Sequence, residues 1–341
     1  MSIEVLKRGL LVTVQDLGRT GFGKFGIGKS GAMDKTALRI ANWLVGNDGG
    51  EAALEVTWSG FSVRFHQNML VSITGADLSP ESGGKPVPMW RPVWFRQGSE
   101  LTFRRPVSGC RAYLAASGGW DVPEVLGSRS TYLRAGIGGV EGRALQSGDI
   151  IHSRRSDRSG SNDDRFPGNG GDEAFRTVRW SAAPRQGYIR PNHLIRVTKG
   201  RQYGDFRVED QSGFFEGSYR VKPESDRMGY RLSGPRLTLR AAREYLSEGV
   251  TDGTVQVPSD GQPIILMADR QTLGGYPKIA QVISTDLSKI AQLSPGNAIR
   301  FREVSLAEAE AAYLAQERGL QLLRKRIGDE LKEVVECGGW T

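Results

Sequence analysis

Short apolar and β-branched runs, each closed off by Gly, Pro, Ser or Asp, recur along most of the chain. Met69 to Thr74, Glu100 to Arg104, Arg111 to Ala115, Ile195 to Thr198, Thr254 to Val257, Pro263 to Met267 and Ala298 to Arg302 are four to six residues long. That is the length and boundary chemistry of barrel strands. Sustained strand–helix–strand alternation is missing, so the pattern predicts a mainly β protein. One early helix interrupts it. Asp34 can cap the following turn, Ala37, Leu38, Ala41, Leu44 and Val45 form one apolar stripe, and Gly46 supplies the stop.

Residues 153–173 read SRRSDRSGSNDDRFPGNGGDE, with almost nothing apolar to offset the entropy of ordering. This predicts a linker or long loop over 154–190, between a first domain at 1–153 and a second at 191–304. The remainder, 305–341, opens with a capping box, Ser305 and Glu308. It carries Leu306, Ala309, Tyr313, Leu320, Leu323, Ile327, Leu331 and Val334 at helical spacing. A helical tail broken near Gly319 or Gly328 is expected.

Composition narrows the chemistry. The chain has 341 residues, 38% hydrophobic and 25% charged, ordinary for two globular domains, and its 45 glycines are about twice the usual share. Two cysteines and three scattered histidines give a disulfide framework or a metal site no material. Acid–base work then falls on Asp, Glu, Lys or Tyr. The net charge of +8 is spread thinly rather than interleaved with aromatics, which argues against nucleic acid and leaves an anionic small substrate or acidic partner. No run approaches the roughly 18 apolar residues of a membrane helix, and the start, MSIEVLKRGLLVTV, lacks a signal peptide's core and cleavage site. The expected location is cytoplasmic, without membrane contact.

Several motifs compete. Gly23 to Ser30 satisfies the Walker A pattern for nucleotide binding, yet Gly31-Ala32 follow its lysine and serine where a helix should begin. Gly21, Gly23 and Gly26 match a dinucleotide fingerprint with no helix opening at the motif. No G-x-S-x-G elbow occurs. Val14 to Arg19 with Ser30 to Asp34 packs polar groups into turns about one helix; the plain alternative is that Asp34 only caps and Asp16 only closes a turn. Asp226 to Leu232, Gln256 to Pro258 and Asp269 to Lys278 place polar groups at strand ends. In the last of these Gly274-Gly275 lets backbone approach a ligand, although a salt-bridged hairpin would look the same.

Taken together, VQDLGRTGFG, SGAMDKTALRIANWLVGND, EAALEVT, YLAASGGWDVPEVLGSRSTY, DRMGYRLSGP, GTVQVPSDGQPIILMADRQTLGGYPKIAQV and the segment from Asp286 to Phe301 resemble the family of the 5-oxoprolinase C subunit. That family is also called KipA, or allophanate hydrolase subunit 2, and is similar to the carboxyltransferase of urea carboxylase. The resemblance, from about Met1 to Val304, implies two cyclophilin-like β-barrel domains, carboxyltransferase subdomains A and B. It implies a component of an ATP-dependent lactam hydrolase that opens 5-oxo-L-proline to L-glutamate, active in complex with a KipI-like B subunit and a LamB/YcsF-like A subunit. ATP could be bound by a partner subunit. One alternative is a carboxyltransferase component acting on urea or a related amide, with biotin arriving on another protein since no Met-Lys-Met attachment motif is present. Another is a regulatory antagonist that binds a KipI-like sensor-kinase inhibitor. Homo-oligomers stay open.

The matching blocks imply a pocket for a small amide or lactam, without metal. Asp226, Asp269, Lys278 and Arg227 are the expected catalytic groups, with either aspartate as general base and Arg227 or Lys278 as carboxylate or oxyanion partner. Gln15, Asp16, Arg19, Ser30, Asp34, Tyr230, Gln256, Arg270, Gln271, Gly274, Gly275 and Tyr276 are the expected binding residues. All of them are expected to converge on one cleft.

Overall fold

All seven runs singled out by their boundaries are strands in the computed structural model, which describes residues 1–154, 173–183, 193–337 and 339–340. The described residues fall into two compact units. One takes Met1–Gly18, Asp34–Gln186 and Gly319–Thr341; the other takes Arg19–Met33 and Gly187–Arg318. Most of the polar stretch expected between the halves lies outside the described residues.

In the first unit the strands are β1 (Ser2–Arg8), β2 (Leu11–Gln15), β3 (Ala53–Thr57), β4 (Phe61–Phe65), β5 (Met69–Asp77), β6 (Pro80–Ser82), β7 (Lys85–Pro86), β8 (Pro92–Phe95), β9 (Glu100–Phe103), β10 (Ser108–Ala116), β11 (Ile150–His152) and β12 (Phe175–Thr177). They form two six-stranded antiparallel sheets, β11-β1-β4-β9-β6-β7 and β12-β8-β5-β10-β3-β2. Alternate residues of both sheets build one core: Ile3, Val5, Val63 and Leu101 from the first, Val12, Leu54, Val71 and Leu114 from the second. Phe65 and Phe95 stack at 4.4 Å within it.

The other face of the second sheet is covered as well. Helix α1 (Lys35–Leu44) lies on it, and Ser72 and Thr74, which alternate with the core residues of β5, donate to the carbonyls of Ala41 and Ala37 at 2.6 and 2.8 Å. Every residue of β3 is therefore buried, and polar residues on that face must find partners inside the protein.

The second unit is a closed barrel. Its strands are β13 (His193–Lys199), β14 (Tyr219–Val221), β15 (Gly229–Ser233), β17 (Thr254–Gln256), β18 (Ile264–Leu266), β20 (Lys278–Val282) and β21 (Ala298–Glu303), while β16 (Glu248–Gly249) and β19 (Leu273–Gly274) pair outside it. The barrel order is β13-β20-β17-β18-β15-β14-β21, closed by a parallel β13–β21 pairing. Helix α2 (Val208–Glu216) inserts Phe214 into the core, stacked on Phe301 at 4.4 Å. A short α3 (Leu287–Ala291) adds Ile290.

The tail corrects the expected break. Helix α4 runs unbroken from Leu306 to Cys337 through Gly319 and Gly328. Each interior glycine costs about 1 kcal/mol against alanine. Leu320, Ile327 and Val334 are buried at seven-residue spacing, and each buried side chain of that size contributes roughly 1.5–3 kcal/mol, which outweighs the two glycines. The capping box forms as expected: Ser305 Oγ accepts the Glu308 amide at 3.2 Å, and Glu308 Oε2 accepts the Ser305 amide at 2.7 Å. No helix among the described residues is long and apolar enough to cross a membrane.

Candidate functional site

Within the barrel unit, an ion pair ties the segment 19–33 to two barrel turns. Asp269 follows strand β18, Arg227 precedes β15, and the Asp269 amide donates to the Arg227 carbonyl at 2.9 Å, so the two side chains leave neighbouring backbone. Arg227 Nε and Nη2 donate to the two oxygens of Asp269 at 2.9 and 3.0 Å, in the two-pronged geometry that suits guanidinium and carboxylate. Both side chains are about 95% buried.

Ser30 completes the cluster by donating its Oγ to Asp269 Oδ1 at 2.9 Å. It does so from a left-handed backbone with φ of 54°, a conformation uncommon for a residue with a Cβ and one that collects at functional sites. Arg227 Nη2 also donates to the Gly31 carbonyl at 2.7 Å. Arg19 is buried on the same segment, its amide donating to the Lys29 carbonyl at 2.8 Å. No helix begins at Lys29; a single 3-10 turn occupies Gly23–Phe25, so the Walker A spacing has no P-loop geometry.

A second group lies two residues further along. Gln256 ends β17 opposite Lys278, and Gln271 Nε2 donates to Gln256 Oε1 at 3.4 Å. Lys278 Nζ donates to the Gly274 and Tyr276 carbonyls at 3.2 and 3.4 Å and sits 3.5 Å from Glu248. Its charge thus closes the Gly274-Gly275 turn. Tyr276 is half exposed. Arg270 leaves in another direction, paired with Asp252 and donating to the Val250 carbonyl.

Two expected residues stand apart from both groups. Asp226 is exposed, and its Oδ1 accepts the amides of Met228 and Gly229, closing a turn. Tyr230 is buried in the barrel core and donates to the carbonyls of Ala291 and Leu293.

Gln15, Asp16 and Asp34 belong to the first unit. Asp16 accepts from the Ser128 and Ser130 hydroxyls at 2.7 and 2.5 Å and from the Gly18 and Arg129 amides at 2.7 and 2.6 Å, so it fixes the loop around Ser128. Gln15 donates to Thr13 Oγ1 and the Thr131 carbonyl, while its Oε1 is buried without a partner. Asp34 caps α1 by accepting the Ala37 amide at 3.1 Å, and its own amide donates to Tyr113 Oη at 2.8 Å.

That last bond leads to residues the sequence reading missed. Tyr113 donates to Glu55 Oε2 at 2.7 Å, and Arg111 Nε lies 3.7 Å from Glu55 Oε1. Burial first, then the negative charge of Glu55, pushes the Tyr113 phenol well above its ordinary range. The available signal was a lone charge, Glu55, between Leu54 and Val56 in the run ALEVT. Among the described residues no group of three or more His, Cys, Asp or Glu could hold a metal ion.

The chain is 40% identical over 329 residues to the C subunit of 5-oxoprolinase from Escherichia coli, covering 96% of this chain and 99% of that protein. The corresponding 5-oxoprolinase C subunit of Haemophilus influenzae is also 40% identical, with the same shares covered. The crystal structure of the K. lactis urea amidolyase superimposes with a TM-score of 0.84 at 31% identity, over 94% of this chain and 20% of that one. Residues 25–303 match the carboxyltransferase domain, subdomain A and B, and contain both barrel-unit clusters. On that match, which spans well over half of its length, the chain belongs to the carboxyltransferase subdomain A and B family.

Proposed function

We propose that this chain works as the C subunit of an ATP-dependent 5-oxoprolinase, opening 5-oxo-L-proline to L-glutamate together with KipI-like and LamB/YcsF-like subunits in the cytoplasm. The observation that carries the reading is 40% identity to the E. coli 5-oxoprolinase C subunit over nearly the whole length of both chains, in a chain whose buried Ser30–Asp269–Arg227 cluster falls inside the matching family region.

An unstrained lactam is a poor electrophile, and transfer of the ATP γ-phosphate to its carbonyl oxygen, with release of ADP, would activate the carbon toward water. The adduct would expel the ring nitrogen, protonated as it leaves, to give an acyl phosphate that a second water hydrolyses to glutamate and phosphate. The reading assigns ATP to a partner subunit, because Ser30 Oγ is engaged by Asp269 and no helix follows Lys29. Asp269 holds Arg227 and Ser30 in fixed positions. Arg227 supplies buried positive charge suited to a substrate carboxylate or a developing oxyanion.

The test is release of glutamate and phosphate from 5-oxo-L-proline by the purified subunits, alone and combined. Turnover is expected only when this chain joins both partners. Full turnover by the partners without it overturns the reading.

A second reading is favoured by the superposition on urea amidolyase: transfer of a carboxyl group from carboxybiotin, carried by another protein, to an amide nitrogen. Carboxylation of urea with a purified biotin carrier would support it. A purely regulatory role, binding a KipI-like inhibitor, is separated by Asp269→Ala, which should abolish turnover and leave partner binding intact if the role is catalytic.

A further inference from the structure

Two polar atoms of the barrel unit lack partners at one place. Gln256 is only 1% exposed, yet its Nε2 has no acceptor. Its Oε1 accepts from Gln271 Nε2 at 3.4 Å, and Gln271 Oε1 is buried with no donor. The two carboxamides form a chained pair with one open donor and one open acceptor. Turning both over exchanges the atoms but leaves one of each kind. Each unsatisfied buried group costs roughly ten- to a hundredfold in the folding equilibrium, and two side by side are hard to explain by folding alone.

The surrounding backbone keeps this pair in place without satisfying it. A Cβ on Gly274 would run into Gln256 Nε2, so glycine is what lets the amide lie flat on this turn. Gly274 is held by pairing with Glu248 across β16 and β19, and its carbonyl accepts from Lys278. The lysine serves the turn and Glu248, which leaves the two open amide atoms to a ligand.

We infer that Gln256 and Gln271 read an amide whose N–H and C=O lie on one side, as in a lactam or a cyclic urea. Its N–H is accepted by one carboxamide oxygen and its carbonyl takes the other carboxamide's N–H. A trans secondary amide points these groups in opposite directions and cannot satisfy both. The inference rests on the lactam reading above and deepens it by naming the residues that select the ring amide.

The test uses the complex with both partner subunits and ATP, comparing the wild type with Gln256→Leu and Gln271→Ala; Gln271 is only partly buried, so its truncation spares the barrel core. KM for 5-oxo-L-proline should rise about tenfold or more in each variant, with kcat within about threefold. The ring-oxygen analogue, the γ-lactone of the same acid, lacks the N–H and should bind the wild type about tenfold more weakly than the lactam, a preference lost in Gln271→Ala. An unchanged KM in both variants, or a fall in kcat at constant KM, overturns the inference. A wild-type complex inert toward 5-oxo-L-proline defeats the proposed function instead. The pair is then judged by calorimetry of 2-pyrrolidone with the chain alone: weakening of about tenfold by either substitution supports it, and equal binding or none by all three chains overturns it.

Discussion

Tyr113 and Glu55 stand directly opposite each other on antiparallel neighbours, and the phenol donates to the carboxylate at 2.7 Å while accepting the Asp34 amide at 2.8 Å. One buried hydroxyl thus joins the sheet under α1 to the residue that caps α1. Removing it in Tyr113→Phe leaves a buried carboxylate short of its donor, expected to cost about 2–3 kcal/mol of stability. Urea denaturation at neutral pH measures this. The pH dependence has a definite sign. Unfolded tyrosine ionises near 10, whereas folded Tyr113 is held neutral, by burial first and Glu55 next. Its contribution is therefore full below about pH 10 and is lost as pH rises toward the folded value. The wild type should lose more stability than Tyr113→Phe between about pH 9 and 11, and equal losses would contradict the assignment.

Acid acts on the barrel unit through Asp286. Burial alone would raise this carboxyl, but hydrogen bonds from Arg196 and Lys289 more than offset it and hold it below its ordinary range. Asp286 Oδ2 accepts from the Arg196 amide and Nε at 2.9 and 3.1 Å, and Oδ1 accepts from Arg196 Nη2 and Lys289 Nζ at 2.6 and 2.8 Å. A lowered carboxyl stabilises fully above its unfolded pKa, about 3.9, and that stabilisation is lost as pH falls through the folded value. Asp286→Asn should cost about 2–3 kcal/mol at pH 7, less than a fully buried pair because Arg196 is partly exposed. Below about pH 3 the gap between variant and wild type in denaturant midpoint should narrow.

Arg227→Lys isolates the geometry of the ion pair from its charge. Lysine keeps the positive charge but cannot span both Asp269 oxygens while also reaching the Gly31 carbonyl. Turnover of 5-oxo-L-proline by the assembled subunits should drop about ten- to several hundredfold, equivalent to about 1.4–4 kcal/mol. A variant with wild-type kcat/KM would show that charge alone suffices.

The strands were legible because each apolar run ends in residues that break pairing, and α1 because Asp34 and Gly46 mark both its ends. Helix α2 carried no such mark: it contains Gly213, has no side-chain cap, and depends on Phe214 stacking against Phe301. The unbroken tail was hidden for a related reason, since the burial of Leu320, Ile327 and Val334 is a tertiary fact. At the candidate site, family resemblance named Ser30, Arg227 and Asp269, but the bond from Ser30 to Asp269 spans 239 positions, which no local spacing encodes. Glu55 announced itself as a charge in an apolar strand; its partner Tyr113, in a strand where tyrosine is ordinary, did not.

Gly274→Ala probes the turn under the two carboxamides. No left-handed backbone is involved, so the expected effect is spatial: the new methyl group displaces Gln256 Nε2 and presses on Val250 Cγ1, 3.2 Å from the ideal Cβ position. The carboxamide is the softer neighbour, because only a 3.4 Å bond to Gln271 restrains it. The barrel should therefore lose no more than about 1–2 kcal/mol, the usual range for mild overpacking, read from the thermal midpoint. KM for 5-oxo-L-proline should rise about tenfold, as the displaced amide no longer meets the ring carbonyl. Gly275→Ala is the control: its Cβ would meet Ser247 Oγ at 3.3 Å and the Tyr245 carbonyl at 3.4 Å, with no carboxamide in the way. Matching KM increases in the two variants would point to general distortion of the turn; a rise confined to Gly274→Ala would tie the effect to Gln256.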